Sequence, residues 1–384
     1  MDPIIADLET AKNEHLLINV YQLDTTDFYT GYVRLLGPDA VLIDTYNDAG
    51  VQDGSVLLAF HAIHVIEFTS ADLDNMHFQI QTAQREHFLT TQQLGQPLHF
   101  SERQPLIPQV LRQILVSQCA MMLVLEDSET YLEGTVVKMG SDQFDFDVFD
   151  KFNYSDKRVL TADMSAVQII ELNGLELYLE TQLMKKQPVH HKTTVVREQE
   201  ALYPALKDLQ AQQQLIAITP RNDEDTFFVG YVNTLNQDSV LLNLIDMGGQ
   251  FGGYTLTRLN NIKLLTVDSD YLATITSYLH DNQAQHRVVQ PVLNAERLFD
   301  TSTDLFLSLL QQASAFQQVI RVRLADAVGT DFVGYPSDVT DKQFVFHDIT
   351  EDLEETDQQI AVNEVAEISF GYMNAYLLEE RLKS

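Results

Sequence analysis

Cysteine and tryptophan are almost missing from this chain of 384 residues, which has one cysteine, Cys119, and no tryptophan. One cysteine excludes a framework of intrachain disulfides and favours a reducing compartment. Because Cys119 lies in an apolar stretch, we interpret it as a small buried side chain. No apolar run approaches the roughly 18 residues that a membrane-spanning helix needs, and the first residues do not resemble a secretory signal. We therefore expect a soluble cytoplasmic protein with no membrane partner.

Basic side chains are also scarce. The chain has 24 Lys and Arg against 56 Asp and Glu, which gives a formal net charge of −32. Nucleic acids bind proteins largely through cations that meet phosphates, so this charge disfavours RNA as a partner. Residues 185–197 (KKQPVHHKTTVVR) have the opposite character, since they carry Lys, Arg and His but no acid. A solvated linker is the simpler interpretation of this stretch, and a phosphate-binding patch is the alternative.

Motifs of catalysis and metal binding are absent from the sequence. It has no Gly-x-Ser-x-Gly, His-Glu-x-x-His or Cys-x-x-Cys motif. His61 and His64, three residues apart on a predicted strand, point to opposite faces and do not share a metal ion. Asp145, Asp147 and Asp150 either gather a hard cation or form a hydrated outer face, and we favour the hydrated face. We predict that the protein is not an enzyme and holds no metal or cofactor.

An internal repeat is the strongest signal that the sequence contains. A glycine with an aromatic residue or leucine two positions before it occurs four times, at Gly31, Gly134, Gly230 and Gly334. Each glycine is followed ten positions later by an apolar residue, and a second apolar strand ends 34 to 36 residues after it. We therefore predict four copies of one structural unit. They span residues 1–84, 103–186, 198–281 and 301–384.

Each copy is predicted to be a small β structure with helices at its ends. Residues 143–150 (QFDFDVFD) alternate between apolar and acidic side chains, which places one face in a core and the other in water. Five short strands in about 55 residues are too few for a large open sheet with a core, so we expect a closed barrel. Segments of helical spacing flank each copy; Ser302 or Thr303 is placed to cap one of them, and Pro204 limits another to its later part. The predicted fold is mainly β with flanking helices, in four tandem small five-stranded barrels.

Three segments resemble the Sm-like fold, a family of SH3-like barrels that includes the bacterial riboregulator Hfq. Residues 18–33 (INVYQLDTTDFYTGYV) are similar to the first Sm motif, and residues 257–265 (TRLNNIKLL) are similar to the second, with Leu259 where the family has glycine. Residues 60–63 (FHAI) are similar to the Lys-His-Ala-Ile step of Hfq, with Phe60 in place of the lysine. The resemblance implies Sm-like copies that join edge to edge.

The chain departs from that family where the family binds bases. The family has an Asp six residues after the glycine and an Asn ten residues after it. The residues at the first of these positions are Gly37, Gly140, Asn236 and Thr340. Those at the second are Val41, Phe144, Val240 and Phe344. The resemblance therefore implies that the nucleotide pocket is missing from all four copies.

Two functional hypotheses follow. The first is a non-catalytic scaffold or adaptor that binds protein partners, or itself, through the barrel edges. The alternative is an RNA-binding Sm-like protein in which one copy keeps a binding face. The residues predicted for that face and its phosphate contacts are His61, Arg258, Asn260, Lys185, Lys186 and Lys192. A metal-assisted enzyme that uses the Asp145 face is the least favoured class.

Overall fold

The computed structural model divides the chain into two compact units, Met1–His190 and His191–Ser384. Each unit contains two of the four predicted copies. The residues that the structure describes are 3–23, 25–88, 94, 99–126, 128, 130–221, 223, 226–287, 292–326, 330–350 and 353–383.

The first unit is built around one antiparallel sheet of ten strands, with helices before and after each half. The first half consists of α1 (Pro3–Glu14), β1 (Leu17–Gln22), β2 (Phe28–Leu36), β3 (Ala40–Tyr46), β4 (Gln52–Ala59), β5 (Ile63–Glu67) and α2 (Ala71–Arg85). The second half consists of α3 (Leu106–Ser117), β6 (Met121–Leu125), β7 (Leu132–Met139), β8 (Gln143–Val148), β9 (Arg158–Asp163), β10 (Val167–Leu172) and α4 (Leu175–Lys186). The strand order is β5-β1-β2-β3-β4-β10-β6-β7-β8-β9.

The second unit is built around an antiparallel sheet of eleven strands. Its first half consists of β11 (Thr194–Val196), α5 (Gln199–Gln212), β12 (Ile216–Pro220), β13 (Phe228–Leu235), β14 (Ser239–Ile245), β15 (Phe251–Arg258), β16 (Ile262–Asp268) and α6 (Asp270–Ala284). Its second half consists of α7 (Leu305–Phe316), β17 (Ile320–Leu324), β18 (Asp331–Ser337), β19 (Gln343–Ile349), β20 (Glu355–Ala361), β21 (Val365–Phe370) and α8 (Met373–Lys383). The strand order is β11-β16-β12-β13-β14-β15-β21-β17-β18-β19-β20.

The same order of five strands, with the fifth beside the first, occurs twice in each sheet. The two sets of a unit are joined by antiparallel pairing of β4 with β10 in the first unit and of β15 with β21 in the second. We call these two junctions the first seam and the second seam. The prediction of a mainly β fold with flanking helices is confirmed, but the prediction of four small closed barrels is wrong. A set of five strands that does not close leaves a row of unpaired N–H and C=O groups at its edge, and here the two sets satisfy these groups by pairing with each other.

The side-chain alternation predicted for residues 143–150 is confirmed along β8. Phe144, Phe146 and Val148 are buried, whereas Asp145 and Asp147 are partly exposed. The phenylalanines belong to a core that also includes α3 and apolar side chains of β3 and β4 from the first half. A corresponding core of the second unit combines α7 with side chains of β14 and β15. Each seam is therefore supported by a core that both halves share.

Helices lie before and after each set of five strands, as the flanking segments of helical spacing predicted, with two local differences. Helix α5 begins at Gln199, so Pro204 lies inside it and does not delay its start. Helix α7 is capped by Asp304, whose Oδ1 accepts a hydrogen bond from the Leu307 N–H at 3.2 Å, and not by Ser302 or Thr303. A carboxylate at the N-terminus of a helix also interacts favourably with the helix dipole, which is a reason for Asp to take this position.

Candidate functional site

The six residues predicted for RNA binding are divided between the two units. In the first unit, His61 is exposed in a 3-10 turn between β4 and β5. Lys185 and Lys186 are exposed at the C-terminal end of α4. In the second unit, Lys192 is exposed just before β11, and Asn260 is exposed in the turn after β15. The first three residues thus lie in one unit and Lys192, Asn260 and Arg258 in the other.

Arg258 is engaged in structural contacts. Its Nε donates a hydrogen bond to the Val365 carbonyl oxygen at 2.6 Å, and its Nη2 donates one to the Val362 carbonyl oxygen at 2.9 Å. Its guanidinium carbon lies 4.1 Å from the ring centroid of Phe306, which is a cation–π distance. Burial lowers the pKa of Arg258. These contacts join the end of β15 to the second half of the unit, and they use two of the five N–H donors of the guanidinium.

The candidate metal-binding residues are placed differently from the sequence expectation. His61 lies in a turn, so only His64 is on a strand. Asp145 accepts a hydrogen bond from the Thr161 hydroxyl at 2.8 Å and lies 3.6 Å from the Lys138 ammonium. Within the part of the chain that the structure describes, no group of three or more His, Cys, Asp or Glu side chains is arranged to hold a metal ion.

The first seam is reinforced by a side-chain contact between the two halves. The Tyr29 hydroxyl on β2 donates a hydrogen bond to Glu171 Oε1 on β10 at 2.6 Å. Burial raises the pKa of both groups, and the negative charge of Glu171 raises that of Tyr29 further. The contact joins β2 of the first half to β10, the strand that the second half contributes to the first seam.

The second seam carries a buried ionic network. Arg321 donates to the Ser369 hydroxyl at 3.0 Å and lies 3.5 Å from Glu367. Glu367 is 1% exposed, and its burial raises its pKa to about 7, although the charges of Arg321 and Arg323 act in the opposite direction. The stabilisation from Glu367 is thus complete at acidic pH and is lost as the pH rises through about 7.

The outermost strands of the first sheet, β5 and β9, present main-chain edges. Each carries an exposed apolar side chain, Val65 on β5 at 46% and Val159 on β9 at 60%. The second sheet ends differently. The short strand β11 lies along β16, and the opposite edge strand β20 exposes Glu355 and Asp357. Short edge strands and edge charges both discourage pairing with another chain. Strand β9 also exposes Arg158 and Asp163 at its two ends, so what distinguishes the edges of the first unit, among the described residues, is the exposed valine on each.

No protein-family model matches the chain, and no curated protein matches it. Its surfaces are therefore the basis on which a function can be assigned. Among the described residues, no helix combines the length and the apolar character needed to cross a membrane.

A buried acidic cluster in the first unit was not predicted from the sequence. It consists of Lys151, Glu133, Glu176 and Glu180, which we call the Lys151 cluster. Lys151 Nζ lies 2.9 Å from Glu133 Oε1 and also contacts Glu176. Glu180 is completely buried. The available signal was the spacing of Glu176 and Glu180, because residues four apart share a face of a helix, but the sequence does not show that this face is turned inward.

Proposed function

We propose that this protein is a non-catalytic scaffold or adaptor that binds protein partners through the open sheet edges of its first unit. The observation that carries the proposal is the pair of outermost strands β5 and β9, each with an exposed valine at an edge of the ten-stranded sheet. An extended segment of a partner can add to such an edge, where main-chain hydrogen bonds supply affinity and neighbouring side chains supply specificity.

The two seams support this mode of binding. At each seam, an edge strand of one set of five pairs antiparallel with an edge strand of the next set. At the first seam the pairing places apolar residues opposite each other, Ile169 with Leu58 and Ile170 with Leu57. Strands β5 and β9 occupy the same positions in their own sets as the strands that form the seam. Edges of this type therefore already form stable pairs within the chain.

The resemblance to the Sm-like family belongs to the same proposal, since members of that family also join edge to edge. The fifth-beside-first strand order in each set is consistent with it. A second copy of the chain is one partner that this mode of pairing admits. The cytosol is the compartment we propose, in keeping with the single cysteine.

The proposal is tested by blocking the two open edges with lysine, a residue that proteins use on edge strands to prevent pairing. The tagged double variant Val65→Lys/Val159→Lys is compared with the wild type for the proteins it captures and for concentration-dependent self-association. We expect defined partners or self-association in the wild type and at least a tenfold loss in the double variant, because the lysines oppose strand addition.

The matched control is Gln359→Lys, which places the same charge on the exposed face of β20 in the second unit. It should retain the partners of the wild type. Capture of the same proteins by the double variant, with unchanged circular dichroism, would show that the edges of the first unit are not the binding surface.

A further inference from the structure

Helix α4 is held against the second half of the first unit by the Lys151 cluster. Lys151 comes from the turn after β8, Glu133 from β7, and Glu176 and Glu180 from α4 itself. Lys151 is 8% exposed as a side chain, and its ammonium contacts both Glu133 and Glu176. The helix also packs Leu177 against Met122 of β6 and Ala120, which directly precedes that strand.

Glu180 is the unusual member of this cluster. Its side chain is 0% exposed, and no hydrogen-bond donor among the described residues reaches either of its carboxyl oxygens. The charged groups that act on it are the carboxyl of Glu133, the ammonium of Lys151 and the carboxyl of Glu176. Two further carboxyls lie beside the cluster: Asp53, whose Oδ1 accepts a hydrogen bond from the Leu175 N–H at 2.7 Å, and Glu171 of β10. Two carboxylates only accept hydrogen bonds, so Glu180 and Glu133 bond to each other only when one of them carries a proton.

The charges of the cluster also require a proton. Lys151 supplies one positive charge, and it already lies against Glu133 and Glu176. A third ionised carboxylate would be buried without a counter-charge, which costs several kcal/mol in a protein interior. Burial accordingly raises the pKa of Glu180 well above its ordinary value, and the neighbouring Glu133 raises it further.

The corresponding helix of the first half, α2, packs through Leu73 and Ile80 against a cluster that includes Tyr32 and Tyr46. There the turn after β3 approaches α2 through Gly50, which has a φ of +69°. A Cβ at Gly50 would lie 2.2 Å from the Gln79 carbonyl carbon, so glycine allows direct contact of turn and helix. The second half has Lys151 in its turn instead, so charged side chains take part in the attachment of α4.

We propose that α4 is a proton-dependent latch, docked on the sheet while Glu180 and Glu133 share a proton and released when that proton is lost. The direction follows from the raised pKa of Glu180. Its contribution to docking is complete below the ordinary range of a glutamate and is lost as the pH rises through the raised value. Release uncovers Leu177, Leu179 and Leu183, which are buried in the docked helix. The latch is independent of partner binding at the sheet edges.

The test is hydrogen exchange of the full-length protein at pH 6 and pH 8, followed by mass spectrometry of peptides from α4 and α2. Protection factors are calculated against the unfolded-chain exchange rate at each pH. The docking equilibrium weakens by up to about tenfold per pH unit between the ordinary pKa of a glutamate and the raised pKa of Glu180, and it is constant above the raised value. We expect protection of α4 to be lower at pH 8 than at pH 6, by at most about a hundredfold over these two units, whereas protection of α2 stays constant.

Glu180→Gln keeps the size of the side chain and removes its charge, so the protection of α4 should become independent of pH. Glu133→Gln provides a second variant of the same pair, and it decides the outcome if Glu180→Gln does not fold. The matched control is Glu14→Gln, an exposed position at the end of α1, which should behave like the wild type. Equal protection of α4 at both pH values in the wild type, or a fall that persists in both pair variants, would overturn the proposal.

Discussion

At the scale of single residues, Arg258 shows that a side chain predicted for RNA binding can also make structural contacts in the fold. It lies in the segment that resembles the second Sm motif, which predicted a role in RNA binding. In the structure its guanidinium donates to two carbonyl oxygens of the neighbouring half and stacks on Phe306. Asn260, two residues later, is exposed and has no such contacts through its side chain among the hydrogen bonds of the described residues.

This difference predicts opposite results for two alanine variants. Arg258→Ala removes two hydrogen bonds to carbonyl oxygens and the cation–π contact, so we expect it to destabilise the second unit by about 2 kcal/mol or more. Asn260→Ala should change stability by less than about 0.5 kcal/mol, as is usual for exposed positions. Urea denaturation followed by circular dichroism measures both. If Arg258→Ala left stability unchanged and weakened RNA retention instead, the RNA-binding hypothesis would regain its strongest residue.

At the scale of elements, the edges of the sheets decide which surfaces can take a partner. Strand β11 comes from the basic stretch that we interpreted as a linker, and it pairs with β16 through Val195 opposite Thr266 and Val196 opposite Leu265. With only three residues it adds little core. Its effect is to cover the main-chain groups of β16, which would otherwise be an open edge like β5.

Replacing residues 194–196 with Gly-Ser-Gly should therefore uncover β16 and promote association. Glycine and serine do not favour strands, so the pairing of β11 is lost while the length of the connection is kept. We expect sedimentation velocity to show oligomers that increase with protein concentration. The control is the same replacement at residues 188–190, which precede the strand and form no strand themselves. Monomers at every concentration in the 194–196 variant would mean that β11 has no protective role.

At the scale of the whole molecule, the net charge influences which partners the protein binds. A formal charge of −32 repels nucleic acid over long distances, and a local basic patch must overcome this repulsion. The six residues considered for such a patch are divided between the two units, and Arg258 is committed to the second seam. A protein partner with basic surface charge is attracted by the same field, which increases its association rate at low salt.

We expect a pull-down of the tagged protein from its native cytosol to retain protein partners without RNA above the background of a control protein of equal charge. RNA and protein are quantified separately at low and moderate salt, because phosphate contacts weaken steeply as salt rises. RNA that remains enriched at moderate salt would contradict this expectation and favour the alternative function. Partners that remain at moderate salt would indicate contacts beyond long-range attraction.

The sequence by itself determined the local elements, because these depend on neighbours along the chain. The alternation of Phe144 and Phe146 with Asp145 and Asp147 identified a strand with one buried face, and apolar spacing indicated helices at the ends of each copy. The repeated glycines located four similar sets of strands. All of these signals are carried by side chains a few positions apart.

Only the tertiary structure decided how the sets combine. Pairing of β4 with β10 and of β15 with β21 uses main-chain groups that every residue has, so no side-chain pattern distinguishes a closed barrel from two edges that join. The same limit applies to Arg258 and Glu180. Whether a charged side chain faces water, a carbonyl oxygen or another carboxyl depends on segments far away in the sequence, and that environment sets both its pKa and its role.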